Sequence, residues 1–95
     1  MKGIRVYPNP DGWLDPVAME QLGAYGRSTS PRITPGSSIG WWEVTAPDGS
    51  MGTLNPKIHT VTEHEDGSIT VSPSIDFSKR RAGAYHGFLR QGEWS

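Results

Sequence analysis

Glycine and proline interrupt this chain so often that neither a long helix nor a long strand can form. The 95 residues hold 12 glycines and 8 prolines. Proline removes a backbone donor, and glycine weakens helix and strand interiors alike. Pro8, Pro10, Pro16, Pro31 and Pro35 all fall within residues 1–38. Two short elements are expected there. Ile4-Arg5-Val6-Tyr7 reads as a strand stopped by Pro8. Asp15-Pro16 followed by Val17 to Leu22 and then Gly23 reads as a compact helix, with Asp15 as N-cap, Pro16 as first helical residue and Gly23 as the left-handed stop. A helix that short needs tertiary support. Arg27-Ser28-Thr29-Ser30-Pro31-Arg32 has loop composition. Residues 1–38 are therefore expected to form an irregular arm without a core of its own, ahead of a β domain over residues 39–95.

From Ile39 onward the pattern is a series of hairpins. Trp41 to Thr45 and Ser50 to Leu54 flank Ala46-Pro47-Asp48-Gly49, with proline and glycine where a type I turn prefers them. Ile58 to Glu63 and Ser68 to Ile75 flank His64-Glu65-Asp66-Gly67. A two-residue Asp66-Gly67 turn would set Val71 opposite Thr62. A three-residue loop with Gly67 as a left-handed bulge sets Val71 opposite Val61 and Ile69 opposite Glu63. The bulged register is expected, because it gathers His59, Val61, Ile69, Val71 and Pro73 on one face. Thr60, Thr62, Ser68, Thr70 and Ser72 then share the hydroxyl-rich other face, as a half-buried ribbon requires. A last hairpin pairs Tyr85 to Leu89 with Glu93-Trp94 around Arg90-Gln91-Gly92. Turn signals at this spacing predict an all-β fold, a small antiparallel sandwich or partly open barrel built from hairpins, with one short helix in the arm.

Composition excludes several functions. Leu, Ile, Val and Phe number only 17 of 95, under the roughly 20% at which a chain begins to resemble disordered ones, but the net charge is near zero. Eleven of the 17 lie after residue 38, and four Trp and three Tyr supply further apolar area, so the second part has core enough. No apolar run approaches the roughly 18 residues of a membrane span. Met1 to Val6 lacks the apolar stretch of a signal peptide. Nine Lys and Arg against ten Asp and Glu leave no global basic field, so nucleic acid is not an expected partner. Without cysteine there is no disulfide framework, thiolate metal site or cysteine nucleophile.

Candidate chemistry is sparse. His59 and His64 differ by an odd number and point to opposite faces of a strand; only His59 with His86, across neighbouring strands, remains as a two-histidine pair. Ser72-Pro73-Ser74 places hydroxyls near histidines without a Gly-x-Ser-x-Gly elbow. No phosphate-cradling glycine motif is present. The expectation is a chain that is not an enzyme and carries no metal or cofactor. Binding residues are better represented. Trp41 and Trp42 are adjacent, so one faces inward and the other outward, and exposed Trp and Arg dominate interface energies. Lys79, Arg80 and Arg81 form the one basic cluster, on a loop tip that is either simply solvated or suited to an acidic partner surface or a phosphate backbone. Trp13 would anchor the arm, and Trp94 would close the core. Trp13, Trp41, Trp42, Lys79, Arg80 and Arg81 are the candidate binding residues.

Three segments carry a resemblance: Leu54-Asn55-Pro56, the run from His59 to Ile75, and Tyr85 to Trp94. Across residues 42–94 the chain resembles small proteins of actinobacterial bacteriophages and, more loosely, the DUF6527 family. That family often has a cysteine beside the histidine matching His86. Here the neighbour is Tyr85, which removes a potential metal ligand. The resemblance implies a bacteriophage origin and no particular activity. Together with that origin, the Gly/Pro-rich arm, the expected exposed Trp and the absence of catalytic signatures lead to the expectation of a capsid-associated or other virion accessory subunit, bound to phage structural subunits and able to form a homo-oligomer. The alternative is an early inhibitor that binds a host enzyme or sequesters a small signalling molecule. The corresponding locations are the virion and the host cytoplasm.

Overall fold

The computed structural model describes all residues from Met1 to Ser95 and shows a small, mostly β fold with one short α-helix. Strands β1 (Ile4–Val6), β2 (Ala24–Arg27), β3 (Trp42–Thr45) and β4 (Met51–Leu54) form one sheet in that spatial order. Three ribbons complete the fold. β5 (Thr60–Glu63) pairs with β6 (Ile69–Ser72), β7 (Ile75–Asp76) with β8 (His86–Gly87), and β9 (Leu89–Arg90) with β10 (Glu93–Trp94). No helix is long and apolar enough to cross a membrane.

The expected boundary between an arm and a β domain falls inside this sheet. β2 pairs antiparallel with β3, Tyr25 opposite Val44 and Arg27 opposite Trp42. β1 pairs with β2 in parallel, Ile4 opposite Ala24, although only antiparallel pairing was expected. A parallel pair needs a crossover connection, and residues 7–23 supply it. Helix α1 (Pro16–Met19) sits in that crossover, with the Asp15 carboxylate accepting from the Val17 amide. The predicted cap and first helical residue are in place, but the helix stops at Met19 and caps on Glu20. Gly23, at φ +86°, instead leads into β2, where its amide donates to the Thr45 carbonyl. The first third of the chain also has a core of its own, formed by Val6, Leu14, Met19 and Ala24. Local sequence hid it because its members come from four separate short segments.

Strand alternation gives the sheet two working faces. Val6 and Ala24 meet the crossover on one face. Tyr25, Trp42, Val44 and Leu54 lie on the other, where they join Ile69, Val71, Ile75, Phe77, Leu89 and Trp94 of the ribbons in the main core. Trp94 is 2% exposed and its indole N–H donates to the Gly23 carbonyl, so this large ring is buried without an orphan donor. The chain ends are knitted together as well: Gly3 donates to the Gly92 carbonyl, and Trp94 to that of Met1.

Two hairpins share one turn. In Ala46-Pro47-Asp48-Gly49-Ser50, Gly49 donates to the Ala46 carbonyl and Ala46 to that of Ser50. In His64-Glu65-Asp66-Gly67-Ser68, Gly67 donates to His64, and His64 to Ser68. Both glycines are left-handed, at φ +89° and +85°, and in both turns the aspartate Oδ1 accepts from the serine amide at 2.9 Å. This is the bulged register: Val61 faces Val71 and Glu63 faces Ile69. Ile69 and Val71 are buried while Thr60, Thr62 and Ser72 are exposed. Ser68 departs from its face and is buried at the turn, bonded to Asp66. The last hairpin is shorter than its sequence suggests. Its turn is Gln91-Gly92, both at positive φ, and His86-Gly87 pair with β7 instead.

Arg5 joins the sheet to the β5–β6 ribbon. Its Nη1 donates to Glu63 Oε2 at 2.7 Å and to the Gly67 carbonyl at 2.8 Å, and its guanidinium stacks over the rings of Tyr7 and Trp42. Charge-assisted hydrogen bonds contribute about 1.5–3 kcal/mol and a cation on an aromatic face about 0.5–2 kcal/mol. Arg5→Met, which keeps much of the apolar stem, is expected to cost about 2–3 kcal/mol in urea unfolding; a loss within 0.5 kcal/mol, the scatter of ordinary surface changes, would show that the joint is dispensable.

The turn aspartates carry a pH signature. The Asp66 carboxyl is held below the usual aspartate range by the Ser68 hydroxyl and then the Ser68 amide. Asp48 is lowered first by the Ser50 amide. A carboxylate lowered in the folded state stabilises fully above its unfolded value, near 3.8, and that contribution is lost as pH falls through the folded value. Asp66→Asn should therefore be less stable than the parent at neutral pH and converge with it in acid, as read by urea midpoints across the acid limb.

Candidate functional site

The largest concavity is a groove of about 500 Å3. It lies between the end of β4 and the chain from Pro73 to Arg80, and is lined by Thr53, Leu54 and Asn55 on the first and Ser74, Ile75, Asp76 and Phe77 on the second. Trp41, Ile58, His59, Lys79 and Arg80 complete it. The first wall follows from the strand register. Trp42 is opposite Leu54, so Trp41, one residue before β3, sits beside Asn55 at the groove. The second wall is tethered through Asp48, whose Oδ2 accepts from the Tyr85 amide at 2.9 Å and lies 3.7 Å from Arg81 Nη2.

Three of the six candidate binding residues come together here. Trp41 is half-buried and Lys79 and Arg80 are exposed, and all three line the groove. Neither cation has an ion-pair partner, since the salt bridges involve only the Met1 amine, Arg5 and Arg81 as cations. Arg81 turns away, donating to Ser50 Oγ and facing Asp48. Trp42 is the inward member of the Trp pair, 9% exposed and stacked under Arg5, so it is not available to a partner. Trp13 stands apart, half-buried in a separate polar depression with Pro10, Asp11, Ser30, Pro31 and Arg32.

The histidines meet through a serine. His59 Nε2 lies 3.2 Å from the Ser74 carbonyl, and Ser74 Oγ lies 3.1 Å from His86 Nε2. A carbonyl only accepts, so His59 Nε2 donates to it. The His59 Nδ1 is buried without a hydrogen-bond partner. Asp76, opposite His86 in the β7–β8 pair, spends its Oδ1 on the Ser78 amide and hydroxyl, which hold its carboxyl below the usual range, the hydroxyl contributing most. Serine, histidine and aspartate are thus neighbours, but the aspartate orients a turn rather than the imidazole, the reverse of what a catalytic triad needs. No cluster of three or more metal-ligating side chains is present.

Local sequence could not show Asn55, Ile58 and Ser74 as groove residues, since only the packing of β4 against the 73–80 segment brings them together. Ile58 is 64% exposed, an apolar side chain left at the groove rim. Comparison with family models, curated proteins and solved structures returned no match.

The two kinds of tryptophan should separate experimentally. Trp94→Ala is expected to cost about 3–5 kcal/mol, as for buried aromatics generally. Trp41→Ala should cost well under half of that and remove much of the acrylamide-quenchable fluorescence. Equal losses of stability would mean that Trp41 is a core residue.

Proposed function

We propose that the protein is a non-enzymatic binding module that engages a protein partner through the groove at Trp41, Lys79 and Arg80. The observation that carries this reading is the convergence of an accessible indole and two unpaired cations on one concave surface. Aromatic rings and arginine supply most of the energy of typical interfaces, and free cations steer and select acidic partners. The Ser74–His86 arrangement, with Asp76 committed to Ser78, adds no competing catalytic reading.

We propose further, from the resemblance of residues 42–94 to small bacteriophage proteins, that this module is a capsid-associated or other virion accessory subunit that binds phage structural subunits. A second reading, an early inhibitor acting in the host cytoplasm, draws on the same groove, whose volume also suits a small anionic ligand. Quantitative mass spectrometry of purified particles and of infected-cell lysate distinguishes the two. Enrichment of the chain with particles, reduced by Lys79→Glu/Arg80→Glu, is the expected result. Exclusion from particles together with co-purification of a host protein would replace it with the inhibitor reading.

A further inference from the structure

We infer that β4 is a docking edge, on which an extended acidic segment of the partner adds as another strand while Lys79 and Arg80 hold its carboxylates. This rests on the binding-module reading above and gives it a mode. The hydrogen-bond phase of the β3–β4 hairpin identifies the free groups. Ala46 donates to the Ser50 carbonyl at the closing pair, and antiparallel pairs alternate. Val44–Gly52 and Trp42–Leu54 are then the hydrogen-bonded pairs of the register, and Thr45–Met51 and Glu43–Thr53 are not. The opposite strand agrees, because the Thr45 carbonyl turns outward to accept from Gly23 of the β2 side.

The backbone N–H and C=O of Met51 and Thr53 therefore point away from β3, and no other strand pairs with β4. Both residues are exposed. An open edge of this kind is a template for a further strand, and main-chain pairing on such an edge is an established mode of peptide recognition. Thr53 also borders the groove, so a strand laid on this edge runs beside the two unpaired cations.

The charge decides the occupant. Met51-Gly52-Thr53-Leu54 carries none itself. Of the charged groups lining the groove, Lys79 and Arg80 have no ion-pair partner, and against the single Asp76 carboxylate, which Ser78 holds ionised, they leave the lining with one positive charge in excess. A second copy pairing β4 to β4 would set two Lys79–Arg81 turns at one joint, where like charges repel. An acidic segment meets complementary charge instead.

The test uses the full 15N-labelled chain and three ten-residue peptides: alternating Glu-Val, alternating Lys-Val, and Glu-Val with every backbone nitrogen methylated. The Glu-Val peptide should shift the Met51 and Thr53 amide resonances and slow their hydrogen exchange, and the other two should not. Arg80→Glu should weaken binding roughly tenfold, the scale of a lost charged contact. Thr53→Pro, which deletes an N–H that β3 does not use, should weaken it by a similar factor. Absence of β4 shifts at millimolar Glu-Val peptide overturns the inference. Binding that is sensitive to Arg80→Glu but indifferent to backbone methylation overturns strand addition and leaves the groove as a binding site. Concentration-dependent pairing of β4 with itself would assign the edge to a second copy. The methylated peptide keeps the test decisive if Thr53→Pro fails to fold, and failure of the binding-module reading is read separately from the particle experiment.

Discussion

One cation, Arg5, ties the main sheet to the β5–β6 ribbon beside the apolar core that both share. It leaves an edge of the sheet, lies across Trp42 and Tyr7, and ends on Glu63 and the Gly67 carbonyl. A chain with so few aliphatic residues has little apolar area to fix how its ribbon sits on its sheet. The planar guanidinium supplies orientation that non-directional burial lacks, because its donors and its stacking face each demand a defined partner position. Its side chain is 14% exposed and that of Glu63 51%, so solvent screens the carboxylate contact more than the ring stacking and the bond to Gly67. The ribbon placed in this way carries Ile69 and Val71 into the core over Tyr25 and Trp42.

The aspartate–glycine–serine turn is the second economy. A single carboxylate oxygen satisfies the serine amide, while the left-handed glycine sets the bulge and with it the register. Used at Asp48 and Asp66, it builds two hairpins from very short strands. At Asp48 the other carboxylate oxygen also reaches the Tyr85 amide. The same residue that turns β3 into β4 therefore pins the far wall of the groove, and turn chemistry is transmitted to the candidate site.

Much of the fold was legible before any coordinates. The bulged β5–β6 register followed from matching apolar faces, since a slip of one residue would move Ile69 and Val71 to solvent. The Asp15 cap and the Pro16 start followed from the orphan amides of a helix end. That one of Trp41 and Trp42 faces inward followed from strand alternation, but which one is set by the register of β3, which buries Trp42. The parallel β1–β2 pair did not, because its evidence is spread over a crossover in which no residue has periodic neighbours. The last hairpin is shorter than its residues suggest because His86-Gly87 satisfy their backbone on β7, a partner distant in sequence. Of the candidate site, the aromatic and basic residues were recognisable by type, but not which of them converge.

Residue pattern alone specifies a mostly β chain of short strands, most of its turn positions and the buried faces of the strands after residue 38. These depend on local backbone preferences and on period-two alternation, and both act within a few residues. The folded chain adds what no local pattern carries: β2 and a parallel β1 join the main sheet, Arg81 and Trp42 are spent on internal contacts, and Trp41, Lys79 and Arg80 share a groove beside the open edge of β4. Those outcomes depend on backbone donors and acceptors finding distant partners, and on which cations find carboxylates first. Such pairings are set by the assembled geometry, to which no local window of the chain has access.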